Sequence, residues 1–230
     1  MNSSVIRFGG TSAILAGIVY VAVGILFFLQ PATDSVEATM QMLATNPLHH
    51  YLYSLSFAVI AALLLAVIMA LTETLQHLTG LLRWAAAIGY IGCAGSVMSQ
   101  LRLLKLAPLR ASVYMEGDEM IRTAIQYNWV GNSLDPYGWL QFGAVGIWLL
   151  LTAYVVVTDG QILPRANGYL GMAVGAVHLA ALVGINLGVP ALQAASAVLG
   201  GILLGPAWAV WTGLLLRRRA DQLDSLHRAA

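Results

Sequence analysis

The sequence predicts an all-α, polytopic membrane protein with six transmembrane helices and two short amphipathic helices on the outer face, in a single domain over 1–230. Three observations predict it. Of the 230 residues, 59% are apolar and only 9% charged, against about 25% charged in an ordinary soluble domain. Six segments supply the roughly 20 mostly apolar residues that a hydrocarbon core about 30 Å thick demands at about 1.5 Å per residue. The charged residues collect at or beyond the ends of those segments.

The spans run over 11–29, 51–71, 82–104, 138–157, 168–187 and 191–216. The first is longer than the roughly 7 to 15 apolar residues of a signal peptide, and no small-residue cleavage site follows it. It is expected to remain in the mature chain. Basic side chains resist translocation, so their distribution sets the orientation. With the N-terminus inside, the inner face holds Arg7, Arg83, Arg165, Arg217, Arg218, Arg219 and Arg228, and the outer face Arg102, Lys105, Arg110 and Arg122. Seven against four places both termini in the cytoplasm. Trp84, Trp139, Trp208 and Trp211 fall near span ends, where an amphipathic ring sits comfortably as an interfacial anchor.

The two long outer connections carry helical periodicity. Asp34, with Glu37 three residues on, reads as a helix start. Val36, Met40 and Leu43 then share one face until Asn46-Pro47 stops the helix. In the region 105–137, Ile121, Ile125 and Trp129 form a second stripe opposite Glu119, Arg122 and Gln126, ended by Gly131-Asn132 and Asp135-Pro136. Both helices are expected at the outer interface, as a lid, as a docking surface or as stiff connections resting on lipid.

Eleven basic against ten acidic residues exclude a phosphate-binding surface, so no nucleic acid is expected as a partner. One cysteine, Cys93, in an apolar run allows neither a disulfide framework nor a thiolate metal site. No Asp, Glu, Lys or Arg falls near the middle of any span. Buried membrane charge marks ion paths and relays, so this argues against a proton-coupled transporter, a voltage sensor or an ion pump. Close helix packing in lipid needs small residues. They stand at Gly17 and Gly24, at Gly89, Gly92 and Gly95, and in the pairs Gly171/Gly175, Gly184/Gly188 and Gly201/Gly205.

His178 is the one titratable group placed centrally, on the face of Gly171 and Gly175. As a haem ligand it needs a partner histidine at its depth, whereas His49, His50 and His77 fall at span ends and His227 in the tail. As a base for Ser96 it would make an intramembrane hydrolase, though Ala94-Gly95-Ser96-Val97 is no nucleophile motif. As a neutral imidazole it would hydrogen-bond across helices to Ser96, Ser99 or Gln100. Trp148 also falls near mid-depth, and with His178, Ser96 and Gln100 it forms a candidate pocket for a lipid, quinone or pigment, with core packing as the alternative. Pro206 should kink the sixth span and free a carbonyl near residue 202. The first half shows no matching break, so an inverted repeat is not supported.

Gln161-Ile162-Leu163-Pro164-Arg165, then Gly168-Tyr169-Leu170-Gly171, and later Gly205-Pro206-Ala207-Trp208-Ala209-Val210-Trp211 before a terminal Leu-Leu-Leu-Arg, are the quotable stretches. With these the chain resembles an uncharacterised bacterial six-helix integral membrane family, a domain of unknown function. The resemblance implies a bacterial inner-membrane location and carries over no catalytic residue. The expectation is therefore a non-enzymatic membrane protein without catalytic residues, metal or cofactor. It would be embedded in the lipid bilayer as an accessory subunit with a membrane-protein partner, or as a small-lipid-binding bundle. The alternative is a small-molecule transporter or membrane enzyme with its pocket around His178 and Trp148.

Overall fold

The computed structural model describes residues 2–31, 35–75, 80–127 and 133–229. These form eight helices, six of them long and apolar enough to cross a membrane. They are α1 (Ser3–Phe28), α2 (Val36–Thr45), α3 (Leu48–Thr74), α4 (Gly80–Glu116), α5 (Glu119–Tyr127), α6 (Trp139–Asp159), α7 (Arg165–Asn186) and α8. The last joins an α-helical Pro190–Ser196 to a π-helical Ala197–Leu204 and an α-helical Gly205–Ala229. The first turn of α6, Trp139–Ala144, is also π-helical.

The spans close into a ring. α1 packs on α8 and α3, α4 on α3 and α6, and α7 on α6 and α8. Glycine makes the α1–α8 seam tight. Gly10, Gly17 and Gly24, seven residues apart, face Gly213, the Pro206 carbonyl with Val210, and Gly201 with Ile202. A Cβ built at Gly213 would stand 2.5 Å from the Gly10 carbonyl oxygen, so only hydrogen fits there. Gly89, Gly92 and Gly95 of α4 lie against Trp148, Ala144 and Leu140 of α6, and Gly171 and Gly175 against Ala153 and Leu150. The pairing of Gly184 with Gly188 is not a helix seam. Gly188, at φ 61°, belongs to the turn between α7 and α8, and nothing lies within 4 Å of a Cβ placed on it.

Several expected boundaries move. α4 continues twelve residues past 104, through Pro108, because its last turns have a tertiary partner. Ala111 and Tyr114 are buried there against Met40 and Leu43 of α2. The first half therefore does hold a helix with an internal proline, although α4 remains unbroken. The N-cap of α2 is Ser35, whose hydroxyl accepts from the Ala38 amide; Asp34 lies outside the described residues, as do His77, Trp129, Gly131 and Asn132. The C-cap of α2 is Asn46, as its Asn-Pro sequence predicts. α5 ends at Tyr127 and buries none of its residues, so it is attached at an edge and does not sink an apolar face into the bundle. Arg122, expected on its solvent face, turns instead to the C-terminus of α4. There its guanidinium donates to the carbonyls of Gly117 (3.1 Å) and Met115 (3.4 Å), orphan acceptors that a helix end leaves open. α8 likewise outlasts its apolar stretch, because Leu216 and Ala220 remain buried and Arg7 of α1 pairs with Asp221 (2.7 Å) and Asp224 (2.9 Å).

Candidate functional site

The ring encloses a cavity of about 400 Å³, to which all six long helices contribute from the half nearer α2 and α5. That volume lies within the range of about 300–1,000 Å³ for small-ligand pockets. Its shallow end reaches Ser133, Asp135 and Pro136 ahead of α6, and its deep end is formed by Tyr20, Leu64, Cys93 and His178. By helical rise His178 stands about 12 Å from the end of α7.

A run of aromatic contacts lines one side. His49 stacks on Tyr53, which meets Phe57 edge-on at 5.0 Å. Phe57 meets Phe142 at 6.5 Å, Phe142 meets His178 at 6.2 Å, and His178 meets Tyr20 edge-on at 6.5 Å. The chain thus passes from α3 through α6 and α7 to α1. Its α3 members recur every fourth residue and so share one helix face. His49 also anchors it, since its Nε2 donates to the Leu26 carbonyl (2.8 Å) in the last turn of α1. His50 Nε2 donates to the Leu103 carbonyl (3.1 Å) on α4, beside the turn that Pro108 deprives of a backbone donor. Both histidines sit at the start of α3 and staple it to its neighbours.

The polar side chains divide by depth. Near the mouth they are mutually satisfied. Gln100 Nε2 donates to Gln141 Oε1 at 2.8 Å, and the Ser99 and Ser133 hydroxyls bond at 2.8 Å. Asp135 Oδ2 accepts from the amides of Leu140 (2.9 Å) and Gln141 (2.8 Å) at the start of α6. Deeper, the pattern changes. His178 is 7% exposed, and its Nδ1 donates to the Val174 carbonyl (2.9 Å) of its own helix. It does not bridge to Ser96, Ser99 or Gln100. The latter two are bonded to Ser133 and Gln141, and Nδ1 is taken by the carbonyl one turn back on its own helix. Because that carbonyl can only accept, Nδ1 carries the proton, and because an unpaired imidazolium is costly in an apolar interior the ring is neutral and leaves Nε2, toward the cavity, as an acceptor. The hydroxyls of Tyr20 and Ser96, two more residues that line the cavity, make no hydrogen bond among the described residues.

Two π-helical turns shape the walls. The one in α6 brings Gln141 and Phe142 to the cavity, and the one in α8 brings Ala197, Gly200 and Gly201. Single π turns recur at functional sites because they re-aim side chains and free backbone groups. In α8 the Gly205 amide donates to the Gly200 carbonyl, and Pro206 has no N–H to give. The expected shortage of backbone donors near residue 202 thus falls where a change of helix type meets the proline.

Of the residues singled out from sequence, Ser96, Gln100 and His178 line the cavity. Trp148 does not. It is one turn further along α6 than the lining residue Val145, is 1% exposed, lies over Gly89, and meets Trp208 edge-on at 6.1 Å. Trp148 and Trp208 fill the centre of the ring on the side of the termini, so Trp208 is a core residue and not an interfacial anchor. Trp84 and Trp139, at 58% and 61% exposed, remain on the outside as anchors do. Sequence reasoning missed Tyr20, Tyr53, Phe57, Phe142, Gln141 and Asp135. The spacing His49-Tyr53-Phe57 was the available signal for the α3 wall. Among the described residues no group of three His, Cys, Asp or Glu side chains could hold a metal ion. Comparison with protein-family models, curated proteins and solved structures found no match to this chain.

Proposed function

We propose that this multi-pass membrane protein binds a small lipid-soluble molecule inside its helix ring, and does so without catalysing a reaction. The observation that carries the reading is the coincidence of an aromatic-lined cavity of about 400 Å³ with side-chain polar groups at its deep end that have no partner among the described residues. Polar atoms that open onto an apolar cavity and have no protein partner are free to bond whatever occupies it. A bound molecule that supplies the missing partners accounts for both features. A bacterial cytoplasmic membrane is the setting that the resemblance of the 161–171 and 205–211 stretches implies, and it is part of this proposal. The excess of arginine beyond the termini-side helix ends supports cytoplasmic termini.

Purification in a mild detergent followed by organic extraction and mass spectrometry tests the reading. A molecule recovered in near-stoichiometric amount from the parent chain, and lost from a variant that fills the cavity such as Ala61→Phe, is the expected result. Equal recovery of the same lipids from both chains defeats it.

A further inference from the structure

We infer that the ligand of the cavity is an uncharged ring-bearing alcohol or phenol whose hydroxyl group donates a hydrogen bond to His178 Nε2. The inference rests on the binding function proposed above and specifies its ligand class. Charge comes first. Among the described residues Asp135 is the only charged one lining the cavity, and it lies at the mouth with Oδ2 already taken by two α6 amides. Among those residues the deep end has neither a cation to receive an anion nor a carboxylate to receive a cation. An unpaired ion there would bear the full cost of burial in a low-dielectric interior. The group that reaches His178 is therefore neutral.

Donor and acceptor arithmetic then narrows the class. His178 offers an acceptor at Nε2, because Nδ1 is committed to the Val174 carbonyl. Tyr20, in ring contact with His178, and Ser96, on the facing α4, offer hydroxyls that have no partner among the described residues. A hydroxyl group is the smallest neutral function that both donates and accepts, and does so through one atom. It can give its proton to Nε2 and take one from Tyr20 or Ser96. An ether or a ketone can only accept, and leaves Nε2 unmet. The walls argue for a ring beside that hydroxyl, since Phe142 and Tyr20 flank His178 at 6.2 and 6.5 Å and Phe57 follows Phe142. Aromatic surfaces pair favourably with one another in offset or edge-to-face geometry.

A matched pair of probes separates the hydrogen bond from hydrophobic fit. 4-Hexylphenol and its methyl ether have the same ring and tail and differ in the donor. Their saturable binding is measured on the full chain in lipid nanodiscs by native mass spectrometry, with Ala61→Phe as the baseline for lipid partitioning. The expected result is phenol binding about three- to thirty-fold tighter than the ether, the factor for one hydrogen bond in a membrane interior. The preference should vanish in His178→Phe and persist in His178→Gln, whose side-chain carbonyl still accepts. Equal binding of both probes to the parent chain, or an undiminished preference in His178→Phe, overturns the ligand class and leaves the binding function standing. No binding of either probe above the Ala61→Phe baseline overturns both. Should His178→Phe not fold, the comparison of the two probes on the parent chain and on His178→Gln decides alone.

Discussion

The Gln100 amide donates to Gln141 Oε1 across 2.8 Å and so ties α4 to the π-helical turn of α6 at the mouth of the cavity. Both side chains line that cavity. Replacing one glutamine leaves the other with an unmet polar group, whereas replacing both removes the demand. A double-mutant cycle with Gln100→Leu and Gln141→Leu, read by unfolding in mixed micelles, should give a coupling energy of about 0.6–1.7 kcal/mol, as for other side-chain hydrogen bonds between membrane helices. Strictly additive effects would show that the pair does not hold the two helices together.

His178 contributes little to the fold by the same reasoning. Its one hydrogen bond runs to a carbonyl of its own helix, so its loss separates no pair of helices. His178→Phe should retain the parent's stability to within about 1 kcal/mol, the scale of one ordinary hydrogen bond. A loss several times larger would mean that the imidazole has a structural partner after all.

The glycine seam makes a sharper contrast. A Cβ at Gly213 meets the Gly10 carbonyl and Ile14, while nothing lies within 4 Å of a Cβ at Gly80. Gly213→Ala must push α1 and α8 apart, and overpacking of this kind costs about 1–3 kcal/mol. Gly80→Ala should be neutral or slightly stabilising. Thermal unfolding of the two variants beside the parent tests both, and equal melting temperatures would rule out the close approach.

The spans and the glycine ridges were legible because each is a local pattern: apolar length, or small residues at helical spacing. The starts drawn from apolarity at 82 and 138 fall within two residues of the helix starts at Gly80 and Trp139, yet α4 runs on past 104 to Glu116. Apolarity marks where lipid is met, and helix continues wherever a partner such as α2 covers the next turn. The cavity was only partly legible. Ser96, Gln100 and His178 stood out as polar letters in apolar text, while Tyr20, Phe57 and Phe142 did not, because an aromatic residue in a membrane span is written alike whether it faces lipid or a cavity. Trp148 shows the converse error. Its depth identified it as interior, but only the ring closure on α3 and α8 decides that it fills the centre and does not line a pocket.

Arg122 explains why a helix that buries none of its own residues stays in place. Its guanidinium serves two carbonyls at the end of α4 and sits 5.6 Å from the Tyr114 ring, whose hydroxyl accepts from Gln126. Glu37 is 4.0 Å away and 64% exposed, too open an ion pair to matter much. Arg122→Ala should therefore speed amide hydrogen exchange over 117–127 by about tenfold or more, since hydrogen bonds to charged groups contribute about 1.5–3 kcal/mol. Glu37→Gln should leave exchange there unchanged. An Arg122→Ala profile identical to the parent would detach α5 from this explanation.

The proposed direction of insertion rests on charge counting, and the fold supplies sites to test it. Seven basic residues lie at the end of the bundle that carries the termini and four at the end that carries α2 and α5. Pairing does not cancel the bias, although Arg7 is held by Asp221 and Asp224. The rule reads Lys and Arg during insertion, before such contacts exist, and acidic residues contribute little to it. The three consecutive arginines at 217–219 close the last span, where a late cluster can still set the orientation. Cys93 is buried, so Cys93→Ala gives a thiol-free background with little disturbance. Met120, 77% exposed on α5, and Ser225, exposed on the last turns of α8, then report the two faces as single cysteines. With a membrane-impermeant maleimide, Met120→Cys should label in intact cells and Ser225→Cys only after permeabilisation. The opposite pattern would invert the protein and move its cavity mouth to the cytoplasmic side.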